Sequence, residues 1–238
     1  MSTGPLFDTT RDVNDDICRN IVSLRRAVDL FDDLNDGEAR RSDVAIAAEM
    51  RVKAAVPPGI ITRGLHYTTA IEYPFVVEPY LNSRYGNGTY GVWYGADTAE
   101  TSIYETVYHM IQDELKIEML DEQIVRERAV YDVRCQAILL DLSAKRESHP
   151  ELVADHYTFT QTLAKRIVTE GHPGLLAPSA RCAGTVAAIF NINVLSDPRT
   201  RFYLNYRLIP ATRTVYVERS PGKPQLILQL RDGRLHTV

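Results

Sequence analysis

The chain has few cysteines, one tryptophan, no long apolar run and no strong charge of either sign, and each shortage closes off a class of function. Of 238 residues only Cys18, Cys135 and Cys182 are cysteines; they lie far apart, form no CxxC and have no His at ligand spacing. A disulfide framework and a zinc site therefore both lack their residues. No stretch approaches the roughly 18 uncharged apolar residues that cross a bilayer as a helix. The start of the chain carries Asp8, Arg11, Asp12, Asp15 and Asp16 and no apolar segment after a basic start, so no signal peptide is expected. These absences predict a reduced, cytoplasmic protein. A net charge of −4 leaves no broad electropositive surface for nucleic acid or a membrane, although a local basic pocket remains compatible with it. GxxxxGK with a following Ser or Thr, HExxH and GxSxG are all missing, which removes the main support for P-loop, zincin and α/β-hydrolase readings.

What remains is ordinary globular material. Hydrophobic residues make up 45% and charged residues 24%, enough for one full core. The aromatics are skewed to Tyr, 13 against six Phe and one Trp. Tyr suits half-buried positions, where the ring packs and the hydroxyl finds a partner.

The apolar spacing of Ile17, Ile21, Leu24, Val28 and Phe31 predicts an amphipathic helix over residues 11–35, stopped by Asn35-Asp36-Gly37. Ser42 can cap a second helix over 43–55, ended by Pro57-Pro58-Gly59. Residues 1–56 thus read as a helical extension, a structural brace or a docking element, ahead of a domain over 57–238. Beyond the break the pattern changes to short β-rich runs at 60–68, 75–77 and 90–96. A helix is expected from about 99 to 118, capped by Asp97 or Thr98, then two strands within 129–142 and a helix over 150–169. Strands are expected again at 175–177, 185–191, 206–209, 214–217 and 225–230. The mixture is α+β and lacks regular βαβα alternation.

The most informative stretch runs from Asn82 to Glu105, NSRYGNGTYGVWYGADTAETSIYE. It delivers Arg84 in a Gly-rich turn, Tyr94 at a strand end and Glu105 in the first turns of a helix. A guanidinium in such a turn suits phosphate oxygens, which its fork bonds in pairs. A tyrosine ring can stack on a base or pyridine, and a carboxylate can hold ribose hydroxyls and stabilise positive charge on a sugar carbon. Taken singly, the same residues also fit a surface Arg, a core Tyr and a solvated helix Glu.

The stretch resembles the RES-domain family, the toxin half of bacterial RES–Xre toxin–antitoxin modules, named for an Arg, a Glu and a Ser. Tyr94 follows Arg84 by ten residues and Glu105 follows Tyr94 by eleven, as in the family pattern. Asp97-Thr-Ala-Glu-Thr-Ser-Ile-Tyr-Glu105 resembles the family's helix entry, and Ala177-Pro-Ser-Ala-Arg181 its Pro-Ser segment, which makes Ser179 the third letter. Ile189 to Pro198 resembles the closing Asn-containing strand, with Asn191 and Asn193 both open as its Asn. The resemblance spans roughly 60–217. Ser83-Arg84-Tyr85 departs from the usual Gly-x-Arg-Trp, and the first-strand position is Arg63 or His66.

The resemblance implies an ADP-ribosyltransferase-like α+β fold with a split mixed β-sheet and flanking helices. It implies an enzyme that consumes NAD by cleaving the nicotinamide–ribose bond, with phosphate, water or a protein as acceptor. Glu105 would stabilise the developing charge, Tyr94 would stack on nicotinamide and Arg84 would hold phosphates. Ser179 would bond the carboxamide or ribose, since as a nucleophile it has no evident base. His66 and Asn191 complete the implied NAD-binding set. The chemistry needs no metal. The implied partner is an Xre-type antitoxin that carries the DNA-binding function and blocks the pocket; a homodimer is compatible with the sequence.

Overall fold

The computed structural model describes residues 6–23, 68–76, 78–116 and 122–238. Its spine is one long strand, β5 (Ile124–Asp141), where the sequence suggested two. Odd-numbered positions Ala129, Tyr131, Val133, Cys135 and Leu139 enter one core, while Ile124 and Val130 enter a second and Leu140 a third. That alternation is the period-2 pattern of a strand buried on both faces.

One edge of β5 is covered by β1 (Thr10–Val22), antiparallel from Thr10 opposite Leu140 to Val22 opposite Arg128. The other edge changes partner. It pairs antiparallel with β8 (Leu195–Ile209) as far as Cys135, then parallel with β6 (Gly174–Pro178) from Leu140. The sheet splits there. On one side β6 pairs with β7 (Thr185–Ile189) and β7 with β4 (Trp93–Ala96); β4 returns to β1 at Cys18 opposite Ala96, closing five strands into a ring. On the other side β8 continues through β9 (Thr214–Ser220) and β10 (Lys223–Arg231) to β11 (Arg234–Thr237). A two-stranded ribbon, β2 (Asn82–Ser83) with β3 (Gly86–Asn87), stands apart. The split mixed sheet with flanking helices is the α+β architecture expected from the sequence.

The ring encloses a core around Val13, Ile17, Trp93, Val133 and Leu139. Trp93 is fully buried and donates its indole N–H to the Ala70 carbonyl at 2.7 Å. Helix α1 (Ala99–Glu114) lays Ile103, Val107 and Ile111 on Leu204, Leu208, Val215 and Leu228 of the open wing. Thr98 caps it, its hydroxyl accepting from the Thr101 amide at 3.0 Å. Asp97, the other candidate cap, accepts instead from the Thr185 amide. Helix α2 (Thr158–Thr169) covers the third core with Leu163, Ala164 and Ile167.

Three further sequence expectations change. Residues 11–22 of the anticipated helix over 11–35 belong to β1, a strand of the central sheet. A spacing of four is commensurate with both a helix and a strand, so Val13, Ile17 and Ile21 share one strand face too, and pairing along the whole length of β1 decides between them. Residues 24–35 and the helix expected over 43–55 lie outside the described residues, as does most of the run at 60–68. The strand expected at 75–77 is replaced by a helical turn over Tyr73–Val76. The helix expected over 150–169 is broken into a short 3₁₀ turn, Pro150–Leu152, and α2. In a continuous helix the carbonyls of Leu152 and Ala154 would accept from the amides four residues on. Here both accept from the Arg84 guanidinium.

Candidate active site

Arg84 and Tyr85 form the two-residue turn between β2 and β3, where Ser83 pairs with Gly86. From α2, Gln161 Nε2 donates to Asn82 Oδ1, the Ser83 carbonyl and the Gly86 carbonyl, at 2.5, 2.9 and 3.2 Å. From β4, the Tyr94 hydroxyl accepts from the Tyr85 amide at 2.8 Å and shares a hydrogen bond with Ser83 Oγ at 2.9 Å. Burial pushes the Tyr94 hydroxyl pKa up to about 12, so it stays protonated. Tyr94 is thus the post on which the arginine turn rests. Its own carbonyl accepts from Arg19 Nη1 at 2.5 Å, beside the single residue pair that joins β4 to β1.

The turn sends the Arg84 side chain toward residues 150–157. Nη1 donates to the carbonyls of Leu152 (3.1 Å) and Ala154 (2.7 Å), and Cζ lies 4.9 Å from the centre of the Tyr157 ring. Nε and Nη2 make no hydrogen bond among the described residues and are free for an anion. Tyr85 points inward. Its ring is fully buried and its hydroxyl has no partner among the described residues, with burial driving its pKa up.

Glu105 stands in the second turn of α1. Its Oε1 accepts from Ser179 Oγ at 2.5 Å and from the Ala180 amide at 3.1 Å, while Oε2 has no partner among the described residues. Ser179 follows β6 and is fully buried. Its Oγ accepts from the amides of Arg181 (3.1 Å) and Cys182 (3.2 Å). Those bonds occupy its lone pairs, so its one proton is directed at Glu105. The loop is pinned from outside by Arg146, which donates to the carbonyls of Ser179 and Cys182. It is also seated on α1, because a Cβ at Gly184 would stand 2.0 Å from Thr101 Oγ1. Only glycine allows that approach.

Arg181 lies flat on Tyr108, with Cζ 3.3 Å from the ring centre, and pairs with Asp155 at 2.8 Å. His109 follows Glu105 by one helical turn. Desolvation lowers its pKa; Glu105 opposes that shift, and the guanidiniums of Arg181 and Arg84 reinforce it. The imidazole therefore senses all three charged groups of the site.

The structure links Arg84 to Tyr94 through the β2–β3 turn and Glu105 to Ser179 directly, and joins the two pairs through residues 152–155, which Arg84 and Arg181 both hold. It does not bring Asn191 to them. Asn191 caps the short 3₁₀ turn Ile192–Val194, accepting from the Asn193 amide at 3.0 Å, at the end of the β6–β7 hairpin opposite Ser179. Asn193 sits in the same turn. His66 and Arg63 lie outside the described residues. Sequence reasoning passed over Asp155, Tyr157 and Arg146. Nothing in their local pattern distinguishes them, since all act through contacts with distant loops.

A model of the RES domain matches residues 57–208. The chain belongs to the RES-domain family. Arg84, Tyr94, Glu105 and Ser179 all fall within the matched range, whereas β1, which completes the ring, precedes it. Among solved structures, a chain of the M. tuberculosis MbcT–MbcA toxin–antitoxin complex is similar to this one. It shares 13% identity at a TM-score of 0.44, over 85% of this chain and 88% of that one. No curated protein matches. Within the described residues no helix is long and apolar enough to cross a membrane, and no three His, Cys, Asp or Glu residues gather as a metal-binding group.

Proposed function

We propose that this RES-domain chain is an NAD-consuming enzyme that cleaves the bond between nicotinamide and ribose. The observation that carries the reading is the Glu105 carboxylate, with one oxygen anchored by Ser179 and Ala180 and the other free. As the C1′–N bond breaks, its electron pair stays on the nicotinamide nitrogen. The leaving group is then neutral and needs no proton. Positive charge builds on the ribose, and the free oxygen of Glu105 stabilises it through the sugar hydroxyls. Arg84 holds the diphosphate with its unused Nε and Nη2 donors. The Tyr94 ring offers a stacking face for nicotinamide while its hydroxyl supports the turn. Ser179 is a positioning residue, because its hydroxyl already donates its one hydrogen bond to Glu105 and its acceptor sites are filled.

An oxygen of inorganic phosphate then attacks C1′, giving a phosphorylated ADP-ribose, or water attacks and loses a proton to give ADP-ribose. Family membership extends the reading to a cytoplasmic toxin, held in check by an Xre-type antitoxin that covers the site. The test is NAD consumption by the purified chain with and without inorganic phosphate, the products resolved by mass. Phosphate-dependent loss with a phosphorylated ADP-ribose is the expected result. Loss without phosphate assigns water as acceptor. A folded chain that consumes no NAD under either condition overturns the reading in favour of a protein acceptor or a silent binding module.

A further inference from the structure

Residues 150–157 cross the site as a strap, held by both of its arginines. Arg84 takes the carbonyls of Leu152 and Ala154 and stacks on Tyr157, and Arg181 takes the carboxylate of Asp155. The two ends of that ion pair differ sharply in exposure. The Arg181 side chain is 7% exposed and that of Asp155 71%. Arg181 is thus a buried cation whose visible counter-charge is a solvated carboxylate on a loop. Among the described residues its buried Nε has no partner and its Nη2 makes no hydrogen bond. Ordinary surface pairs do not look like this. A guanidinium held against an aromatic face, in the loop that orients Glu105 and two residues after Ser179, is pre-positioned for a planar or tetrahedral oxyanion. Arg84 and Arg181 also act on the same imidazole, His109, which places their fields in one region.

We propose that Arg181 is a second anion-binding residue of the cleft, for a ligand of the diphosphate class, and that Asp155 occupies its place until such a ligand displaces it. A single exposed carboxylate is a weak, salt-screened partner. A diphosphate carries more charge and bonds a guanidinium through two oxygens. Exchange of Asp155 for diphosphate therefore runs toward the ligand. It also removes one tie on the strap, which stays anchored by two carbonyls and the Tyr157 ring on Arg84 and by the buried Leu152 side chain. Naming the natural ligand as the diphosphate of NAD rests on the function proposed above; the anion site itself does not.

The test is calorimetric titration of the full chain with inorganic pyrophosphate, in the wild type, Asp155→Asn, Arg181→Gln and the double variant. Asp155→Asn should tighten binding about two- to fivefold, the effect of removing an exposed competing ion pair. Arg181→Gln should weaken binding and abolish that gain in the double variant. The KM for NAD should follow the same order. Unchanged or weaker binding in Asp155→Asn overturns the proposal, and so does wild-type affinity in a folded Arg181→Gln. If Arg181→Gln does not fold, Asp155→Asn decides alone. Pyrophosphate binding that follows the prediction in a chain that consumes no NAD would uphold the anion site and reject the NAD reading. NAD turnover with pyrophosphate binding indifferent to Asp155 would do the reverse.

Discussion

Ser179 Oγ lies 2.5 Å from Glu105 Oε1, and the proton between them belongs to the serine. Two backbone amides already donate to that hydroxyl, so it has nowhere else to point. The family's third letter thereby acts through its second. Ser179→Ala removes a charge-assisted bond and leaves Glu105 with one anchor, the Ala180 amide. Such bonds contribute about 1.5–3 kcal/mol, so kcat for NAD cleavage should fall about ten- to a hundredfold, with KM little changed. Steady-state kinetics decide the point. Turnover within about twofold of wild type would show that Glu105 does not depend on Ser179 for its orientation.

Glu105 and Arg84 should separate cleanly in a second comparison. Glu105→Ala removes the proposed stabilising charge, so NAD loss should fall by at least about a hundredfold. The side chain is half-buried and bears on a loop pinned independently by Arg146, so thermal melting should barely move. Arg84→Ala should also abolish NAD loss. It additionally releases the carbonyls of Leu152 and Ala154, and the melting temperature should drop by a few degrees. Equal melting curves for the two variants would mean that the strap does not depend on Arg84.

The candidate site was legible in the sequence where its residues form one ordered series, with Ser179 added through the separate Pro-Ser segment. Arg84, Tyr94 and Glu105 fall within a single turn–strand–helix passage, so their spacing survives as a pattern. Asp155, Tyr157 and Arg146 reach the site across the fold and leave no such trace. In the scaffold, α1 was readable from its cap and apolar face. The helix expected over 150–169 was not, because what interrupts it is a guanidinium from residue 84. The N-terminal segment failed for a different reason: its four-residue spacing satisfies two geometries, and only the presence of β5 selects the strand.

His109 offers a test of the electrostatics that does not depend on turnover. Desolvation holds its pKa below the ordinary 6.5, Glu105 raises it, and Arg181 lowers it. An NMR titration should therefore find the His109 pKa below 6.5. Arg181→Gln should move it upward and Glu105→Gln further downward. Because the folded value lies below the unfolded one, the unfolded chain binds more protons between them. The contribution of His109 to stability is then full above pH 6.5 and is lost as pH falls toward the folded value. His109→Gln should flatten that part of the stability profile. A His109 pKa at or above 6.5 would be incompatible with this arrangement.

Tyr85 replaces the tryptophan usual after the family's arginine and brings a hydroxyl into the interior with no partner among the described residues. A buried donor left unmatched costs about 1–3 kcal/mol. Tyr85→Phe keeps the ring and the backbone amide that Tyr94 accepts. The expected result is a gain of about 1 kcal/mol in denaturant unfolding, with NAD turnover preserved. A loss of stability would mean that the hydroxyl has a partner in solution.

The position of β1 predicts that the N-terminus is required for the fold of the catalytic unit. Its residues lie outside the range matched by the family, yet they cover one full edge of β5 and close the ring at Ala96. Ile17 is buried among Val13, Trp93 and the inward face of β5. Ile17→Ala should therefore cost about 2–5 kcal/mol, as for other core truncations, whereas Asp12→Asn on the exposed face should be near neutral. Deletion of residues 1–22 is more severe, because it strips a long strand from β5 and leaves an open edge with apolar side chains on both faces. That chain should aggregate on expression. Soluble protein with wild-type NAD turnover after this deletion would show that β1 merely lies against a unit that closes without it.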